Sequence, residues 1–478
     1  MKICTAQSVR EAEQQLFASG SMCSLELMNT VIDRLWQACR RLPMLQHFAP
    51  SRVVVYAGTG NNAGDAIGLA ARWGCPVTLR CAGSLSADSQ AQLTGREETD
   101  TLPRPQESLL IIDGLLGSGA VGALRPNYAS LVRELNDLRA ASPRSLTLAI
   151  DIPTGLDSST GSCGADVVLA DATAAIGCVK PGMLADGAED AVGRLLCIPL
   201  PEVGEIPAAD TALVADASEF SPLLPRRAYS CFKNRAGRVA IVTGSVGMAG
   251  AAQMCAEAAL AAGAGLVVLY CLPPVYPVLA ARVAPEIMVR PVGSYADIHE
   301  PDAQALVIGP GLGEVQPVAA ESLRCLAADF HGPVVLDADG LNTAAANGWQ
   351  PQPDWILTPH PGEMRRLYPA ATGKTRREIV AAYLEQHPCT LLFKGARTII
   401  ADPTRICYNT TGGPYMANGG QGDVLAGTIG ALAAQGLSPH QAALAAACAC
   451  GLAAERAWAA AGYPTAISAS QVIRHLHL

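Results

Sequence analysis

A glycine-rich stretch near the end of the chain, residues 417–427 (ANGGQGDVLAG), holds the residues best placed to do chemistry. The glycines of its loop are Gly419, Gly420 and Gly422. Without side-chain bulk, their backbone N–H groups can close around an anion. The apolar run that follows ends before Gly436, which predicts a helix beginning at this loop. A helix N-terminus preceded by glycines attracts phosphate, with the helix dipole contributing roughly 0.3–1 kcal/mol, so we predict a phosphate-binding site here.

Asp423 stands at the start of that predicted helix, where a carboxylate would repel a bound phosphate. The same carboxylate is well placed to act as a general base beside a phosphate that is being transferred, a role worth roughly 10²–10⁴ in rate. The alternative is structural, because Asp is a favoured N-cap residue of helices. These residues alone leave the two interpretations of Asp423 equally open.

Gly-x-Gly-Asp at the start of a helix resembles the ribokinase-like superfamily, in which those amides form an anion hole and the Asp is the base. Two further motifs, TPHPGE at 358–363 and KGART at 394–398, resemble one branch of it, the ADP-dependent NAD(P)H-hydrate dehydratases. The resemblance spans 227–478, with its motifs in the expected order. This chain departs from the pattern at Gln421, where the family usually has Thr or Ser.

The resemblance implies an ADP cosubstrate used with Mg²⁺, and Asp423 as the catalytic base. The residues it assigns to the nucleotide are Lys394, Gly395, Ala396, Arg397, Thr398, Gly420 and Gly422. The residues it assigns to the substrate are Ala251, Gly311, His360 and Asp423. From the residues themselves, Lys394 is either a solvated strand-end lysine or an ammonium on a nucleotide phosphate. Asp337 and Asp339 either hold Mg²⁺ or orient loops.

Length and composition restrict the class of protein. At 478 residues the chain is too long for one ordinary domain, so we expect two. A hydrophobic content of 50% against 16% charged residues favours two well-buried α/β cores. The net charge of −8 offers no basic surface for nucleic acid or anionic lipid. The apolar runs are shorter than a membrane span, and the first residues, MKICTAQSVREAEQQ, do not resemble a signal peptide.

The 16 cysteines include no CxxC pair and no zinc-type spacing with histidines. Free thiols in this number favour a reducing, cytoplasmic setting. Cys448 and Cys450 lie in an alanine-rich helical run, so we expect them to be small core residues.

Residues 52–73, RVVVYAGTGNNAGDAIGLAARW, predict a buried parallel strand at 53–57, a glycine turn and a helix at 66–73. The turn carries three polar side chains: Asn61, Asn62 and Asp65. Two carboxamides and a carboxylate at a strand's carboxyl end can hold a polar ligand or a hard cation. The turn preference of Asn and Asp is the structural alternative.

The same turn satisfies the dinucleotide-binding fingerprint G-x-G-x-x-G/A, at Gly58, Gly60 and Ala63. That fingerprint is normally followed by a strand ending in an acidic residue that holds a ribose. Here the next strand ends in Arg80 and Cys81. A redox dinucleotide site is therefore disfavoured.

Two more strand-to-loop junctions repeat this design. Asp113 ends an apolar strand before the glycine loop 117–122, and Asp151 ends another, followed by Thr154. An isolated strand-end Asp is usually a cap or turn residue. Because ligands of open parallel sheets bind outside the carboxyl ends of the strands, we expect the three loops to converge on one site.

Together with VKPGML at 179–184, these loops resemble the YjeF N-terminal family, the NAD(P)H-hydrate epimerases, over most of 1–201. The resemblance implies substrate contact at Asn61, Asn62, Ala63, Gly64, Asp65, Gly117, Ser118, Gly119, Ala120, Val121, Gly122, Ala123 and Asp151, with Asp151 catalytic. It also implies K⁺ coordination by Asn62, Asp113 and Thr154. The family's NNGGDG is NNAGDA here, which places methyl groups at Ala63 and Ala66.

We therefore predict an α/β protein of two domains, an N-terminal Rossmann-like αβα sandwich at 1–218 and a C-terminal ribokinase-like αβα domain at 219–478. A proline-rich stretch marks the boundary near 219–227. The second half restarts with a strand, a glycine loop and a helix at 237–253.

The resemblances imply repair of hydrated NADH and NADPH, with dehydration in one half and epimerisation in the other. The expected partners are a small-molecule substrate, ADP, Mg²⁺ and K⁺, with neither nucleic acid nor membrane, and the expected assembly is a cytoplasmic homo-oligomer. One alternative is a small-molecule kinase, because an anion hole and an Asp serve any hydroxyl acceptor. Another is an N-terminal half that only binds nucleotide, since its loop glycines are altered.

Overall fold

The computed structural model describes residues 1–93, 103, 107–120, 122–215, 220–224 and 226–478. The chain divides into two compact units, Met1–Val214 and Ala215–Leu478. Each unit contains a largely parallel sheet with helices beside it. This agrees with the predicted α/β class.

The first unit is built on six parallel strands: β1 (Arg52–Ala57), β2 (Val77–Cys81), β3 (Leu109–Gly114), β4 (Ser145–Ile150), β5 (Ala172–Ile176) and β6 (Arg194–Ile198). Their order across the sheet is β2-β1-β3-β4-β5-β6. Continuous apolar runs form these strands because both faces of a parallel sheet are covered. The chain turns from β1 towards β2 on one side and resumes with β3 on the other. A crevice is expected at that reversal, between β1 and β3.

The helices of the first unit are Ala6–Ala18, Ser24–Arg41, Pro43–Gln46, Asn61–Ala70, Ala87–Ala91, Pro126–Ala141 and Glu189–Val192, with 3₁₀ turns at Ala71–Trp73, Pro181–Leu184 and Pro201–Val203. The helix after β1 begins at Asn61, so the prediction of a helix only from residue 66 was wrong. Its first turn is the polar NNAGD segment itself. The sequence suggested a turn there because Asn and Asp favour turns.

Among its described residues, the second unit has nine strands: β8 (Arg238–Val242), β9 (Leu266–Cys271), β10 (Ile287–Pro291), β11 (Ala305–Ile308), β12 (Val334–Leu336), β13 (Trp355–Leu357), β14 (Thr390–Phe393), β15 (Ile399–Asp402) and β16 (Arg405–Asn409). They run in the order β10-β9-β8-β11-β12-β13-β14-β15-β16. Pairing is parallel as far as β14 and antiparallel from β14 to β16. A short strand, β7 (Leu213–Ala215), spans the point at which the two units divide.

The helices of the second unit are Ala249–Ala261, Tyr276–Arg282, Pro317–Asp329, Asp339–Ala346, Pro361–Leu367, Arg376–Leu384, Gln421–Ala434, Pro439–Ala460 and Ala469–His475. Its 3₁₀ turns are Ser221–Leu223, Tyr295–Asp297, Pro369–Ala371 and Pro414–Met416. Within the described ranges, no helix combines the length and the apolar character that crossing a bilayer requires.

Small residues set how closely the helices of the second unit approach. A Cβ built on Gly427, in the helix Gln421–Ala434, would lie 2.0 Å from the carbonyl oxygen of Cys255 in the helix Ala249–Ala261. Cys448 and Cys450 are buried, which confirms the prediction that they are core residues. Every cysteine of the chain is a free thiol.

Gly427→Ala is expected to lower the free energy of unfolding by about 1–3 kcal/mol, because the added methyl meets backbone rather than a movable side chain. Urea denaturation followed by circular dichroism measures the change. Gly250→Ala is the matched control, since nothing lies within 4 Å of a Cβ built at that position of the partner helix. Equal stability of the two variants would contradict the close approach.

Candidate active sites

A cavity of about 470 Å³ opens at the carboxyl ends of β1, β3 and β4 in the first unit. The predicted site residues that line it are Asn61, Asn62, Asp65, Gly117, Ser118, Gly119, Ala120 and Asp151. The crevice expected at the chain reversal is thus present, and three separate loops contribute to its wall.

Asp151 is the most constrained carboxylate of this cavity. Its backbone φ is +67°, in the left-handed region that L residues rarely adopt. Its Oδ2 accepts a hydrogen bond from the Ser118 N–H at 2.7 Å, and its Oδ1 forms an ion pair with Lys180. Burial alone would raise the pKa of Asp151, but Lys180 and Ser118 together hold that pKa below its usual range. The cavity therefore contains a rigidly held, ionised carboxylate.

Lys180 is completely buried, and its Nζ also donates to the carbonyl oxygen of Ile176 at 2.9 Å. The sequence included Lys180 in the VKPGML motif without giving it a role. A lysine inside an otherwise apolar segment was the available signal. Only the fold shows that its ammonium neutralises Asp151.

Two further carboxylates line the cavity, Asp65 and Glu13. The Oδ1 atom of Asp65 is buried and has no hydrogen-bond partner among the described residues. Burial, with the charges of Asp151 and Glu13 adding to it, raises the pKa of Asp65 well above its usual range. Burial and the charge of Asp151 likewise raise the pKa of Glu13. Sequence reasoning missed Glu13, because nothing in its helix indicates which face meets the cavity.

Asp113 and Thr154, assigned to K⁺ by resemblance, lie beneath the loops. Thr154 donates to Asp113 twice, from Oγ1 at 2.8 Å and from its backbone N–H at 2.7 Å. Burial raises the pKa of Asp113 to about 6. Asn62 donates its amide to the Ile150 carbonyl oxygen at 3.2 Å, at the end of β4. A buried carboxylate among hydroxyl and amide oxygens is a donor set that fits a hard cation.

Several predicted residues lie away from this cavity. Ala63 and Gly64 are buried, and a Cβ on Gly64 would meet the sulfur of Met28 at 2.5 Å. Gly122 and Ala123 line a separate cavity of about 240 Å³, whose wall also includes Gly117 and Ala120. Val121 is outside the described residues.

In the second unit, the glycine loop leads directly into the helix Gln421–Ala434. Gly420 is the N-cap, with φ +93°, and Asp423 is the third residue of the helix. The structural alternative, in which Asp423 itself is the N-cap, was therefore wrong. Gln421 donates from Nε2 to the Asn418 Oδ1 at 3.1 Å, so the residue that departs from the family pattern ties the loop together.

Asp423 lies in a cluster of charged groups at this helix N-terminus. A Cβ built on Gly422 would be 3.3 Å from the Lys394 Nζ and 3.4 Å from the Asp337 Oδ2. Burial, with the charge of Asp337 adding to it, raises the pKa of Asp423 to about 6, although Lys394 opposes the shift. A carboxylate with a pKa near neutrality is suited to accept and release a proton.

Lys394 forms an ion pair with the Asp337 Oδ1 at 2.5 Å, and the hydroxyl of Thr358 donates to the same oxygen at 2.8 Å. Lys394 is thus not the solvated lysine of the alternative interpretation. Asp339 accepts a hydrogen bond from the Gly313 N–H at 2.8 Å and so orients a loop. The described residues contain no group of three or more His, Cys, Asp or Glu placed to hold a metal. A Mg²⁺ ion at such a site would take its further oxygen ligands from phosphate or water.

His360 starts the helix Pro361–Leu367 in the second unit. Its Nδ1 accepts from the Gly362 N–H at 2.9 Å, while its own backbone N–H donates to the Glu363 Oε2 at 2.8 Å. The ring thus caps the helix and remains half exposed. Ala251 and Gly311 are neighbours, because a Cβ on Gly311 would lie 2.9 Å from the Ala251 Cβ.

The KGART segment forms a tight turn between β14 and β15. The Thr398 hydroxyl donates to the Gly395 carbonyl oxygen at 2.9 Å, and Gly395 and Ala396 are exposed. Arg376, which sequence reasoning missed, donates to the Arg397 carbonyl oxygen at 3.1 Å. Its guanidinium would be 2.2 Å from a Cβ at position 395, so a side chain there would displace Arg376 from the turn.

The fold and these sites define a class of two-unit α/β proteins whose second unit has the glycine loop and acid of the ribokinase-like superfamily. The sequence profile described as NAD(P)H-hydrate dehydratase matches residues 239–477, and the one described as YjeF-related protein N-terminus matches 21–182. The bifunctional NAD(P)H-hydrate repair enzyme Nnr of Coxiella burnetii is 34% identical, over 99% of this chain and 98% of that protein. The chain belongs to the family of bifunctional NAD(P)H-hydrate repair enzymes.

Solved structures resemble the second unit. A ribokinase-like superfamily protein of Enterococcus faecalis is 23% identical, with a TM-score of 0.50, over 57% of this chain and 96% of that one. This likeness confirms the ribokinase-like fold. An ADP/ATP-dependent NAD(P)H-hydrate dehydratase of Bacillus subtilis, co-crystallised with ATP and Mg²⁺, is 28% identical, with a TM-score of 0.49, over 56% of this chain and 97% of that one.

Lys180→Met is expected to lower the free energy of unfolding by about 3–5 kcal/mol, because it leaves the buried Asp151 carboxylate without a counterion. Urea denaturation measures the loss. The double variant Lys180→Met/Asp151→Asn removes that unpaired charge and is expected to recover part of the lost free energy of unfolding. A double variant no more stable than the single one would show that charge burial is not the cause.

Proposed function

We propose that this chain repairs hydrated NADH and NADPH by two reactions, epimerisation at residues 1–218 and ADP-dependent dehydration at 219–478. Family membership supports the pair of reactions. The observation that carries the dehydratase assignment is Asp423 beside Lys394 in the first turn of a glycine-capped helix. A base and a phosphate-binding cation side by side at a helix N-terminus are what phosphate transfer to a hydroxyl needs.

In the proposed dehydration, Asp423 takes the proton of the C6 hydroxyl of the S hydrate. The hydroxyl oxygen attacks the terminal phosphorus of ADP, and AMP leaves. The C6–O bond then breaks with its electron pair leaving on phosphate, the phosphate takes a proton from C5, and the C5=C6 double bond of the dihydronicotinamide forms. The amides of Gly420 and Gly422, together with the Lys394 ammonium, stabilise the charge on the transferred phosphate.

The other proposed nucleotide contacts are Gly395, Ala396, Arg397 and Thr398, and the other proposed substrate contacts are Ala251, Gly311 and His360. The position of the KGART turn supports the nucleotide contacts, because this turn begins with Lys394 and directly follows β14. Mg²⁺ would neutralise charge on the phosphates when bound.

In the first unit, the proposed epimerase site is the cavity at Asp151. We assign substrate contact to the predicted residues that line this cavity, and K⁺ to Asn62, Asp113 and Thr154. When bound, K⁺ would supply positive charge beside the buried Asp113. Ala63 and Ala66 are not among the residues that line the cavity, which supports a site open to substrate.

Reciprocal variants test the two assignments on separated S and R NADH-hydrate with ADP, Mg²⁺ and K⁺, followed by the return of nicotinamide absorbance. Asp423→Asn is expected to slow repair of both epimers by about 10²–10⁴, because it removes the base. Asp151→Asn is expected to slow only repair of the R hydrate. Each variant is the other's control.

Undiminished turnover by Asp423→Asn would refute its role as base. If the unmodified chain repairs only the S hydrate, the first unit would be a binding module without epimerase activity. A stable phosphorylated product formed from ATP would instead identify a small-molecule kinase.

The pH dependence of S-hydrate repair follows from the raised pKa of Asp423. A base acts only when ionised, so the rate is expected to fall as the pH drops below about 6. Lys394 lowers that pKa. Lys394→Met is therefore expected to move the acid limb of the rate profile, where the rate falls, to higher pH, whatever its effect on the maximum rate. Rate profiles at saturating ADP measure both midpoints. A limb that stays in place in Lys394→Met would contradict the assignment of that limb to Asp423.

A cytoplasmic location and a homo-oligomeric state stay predictions. The free thiols support the former. A small-molecule substrate without nucleic acid or membrane partners agrees with the net charge of −8.

A further inference from the structure

The cavity of the first unit contains an acid that neither the motifs nor the proposed roles use. Glu13 lies in the helix Ala6–Ala18 and lines the cavity, although it belongs to none of the three strand-end loops. Arg10, one turn before it, also lines the cavity and donates to the Gly119 carbonyl oxygen at 3.1 Å. That bond attaches the first helix to the glycine loop, so Glu13 is held against the site.

Epimerisation at C6 requires two proton transfers. The hydroxyl must gain a proton to depart as water, and the water that adds to the other face must lose one. Asp151 is ionised and ion-paired with Lys180, so it is suited to receive a proton but not to supply the first one. The site therefore needs a second group that carries a proton when the substrate arrives.

We propose that Glu13 is this second catalytic residue: it protonates the departing C6 hydroxyl, and Asp151 receives the proton of the water that adds. The proposal rests on the proposed epimerase function. The C6–O bond breaks with its electron pair leaving on water, and the N1 lone pair forms a C6=N1 double bond. Water then bonds to the opposite face of C6, the double-bond pair returns to N1, and Asp151 takes the released proton.

The cycle closes when the proton passes from Asp151 to Glu13 through water in the cavity. The charged groups facing Glu13 are Asp151, Asp65, Lys180 and Arg10. Burial, with the charge of Asp151 adding to it, raises the pKa of Glu13, while the pKa of Asp151 is lowered. The return transfer therefore runs in the favourable direction, from the stronger acid, protonated Asp151, to the stronger base, the Glu13 carboxylate. The buried, unpartnered Oδ1 of Asp65 gives the cavity a further polar atom for such water.

Epimerisation is measured directly by chromatography of R-hydrate converting to S-hydrate, with K⁺ and without ADP, after subtracting the rate without protein. Glu13→Gln is expected to lower the catalysed kcat at least about a hundredfold, because an amide cannot give up a proton. Glu11→Gln is the matched control, since Glu11 is exposed on the same helix and is not among the cavity's lining residues. It is expected to leave the rate unchanged.

Glu13→Asp separates a catalytic role from a structural one. It keeps an acid, so it is expected to retain more activity than Glu13→Gln and to keep a kcat that declines as the pH rises through the pKa of the acid. Glu13→Gln is expected to lose that decline. Should Glu13→Gln not fold, an unchanged kcat and pH profile in Glu13→Asp across the range would overturn the proposal.

Two results would overturn the inference while leaving epimerisation intact: a full kcat in Glu13→Gln, or a raised KM with an unchanged kcat. Failure of the proposed function looks different, because the unmodified chain would then not convert the R hydrate at all.

Discussion

Each unit depends on neutralising a buried aspartate at the end of a parallel strand. Asp337 is almost inaccessible to water and Asp151 is largely so, and each is paired with one lysine brought in by a later segment of the chain, Lys394 and Lys180 respectively. Without its lysine, either carboxylate would stay charged only at a cost of several kcal/mol. The strand ends can come together as a site because these pairs compensate the charge.

The pairs also determine what the neighbouring acids can do. Once one carboxylate is ionised by its lysine, its negative charge and the surrounding burial raise the pKa of the next acid. This relation holds between Asp337 and Asp423 in the second unit, and between Asp151 and Glu13 in the first. Each site therefore contains one lysine-paired carboxylate beside a second acid whose pKa is raised, which is a common basis for acid–base chemistry.

Local departures from the family patterns are absorbed by packing. Ala66 is buried, and a Cβ built on Gly114 of β3 would lie only 2.5 Å from the Ala66 methyl. The extra methyl thus occupies space left free by a glycine on the neighbouring strand. Gln421 similarly uses its longer side chain to reach Asn418 across the glycine loop. Neither change places a side chain where the proposed substrate or phosphate would bind.

The sequence by itself determined the α/β class, most strands and the loops that carry polar residues, because apolar runs, glycines and strand-end aspartates are local patterns. It also identified Asp423 as a candidate base, although the helix start, which excludes Asp423 as the N-cap, required the backbone. Only the tertiary structure decided that Lys180 neutralises Asp151 and that Glu13 reaches the same cavity. These relations join residues far apart in the chain, and burial, which fixes their pKa values, arises only when the units have folded.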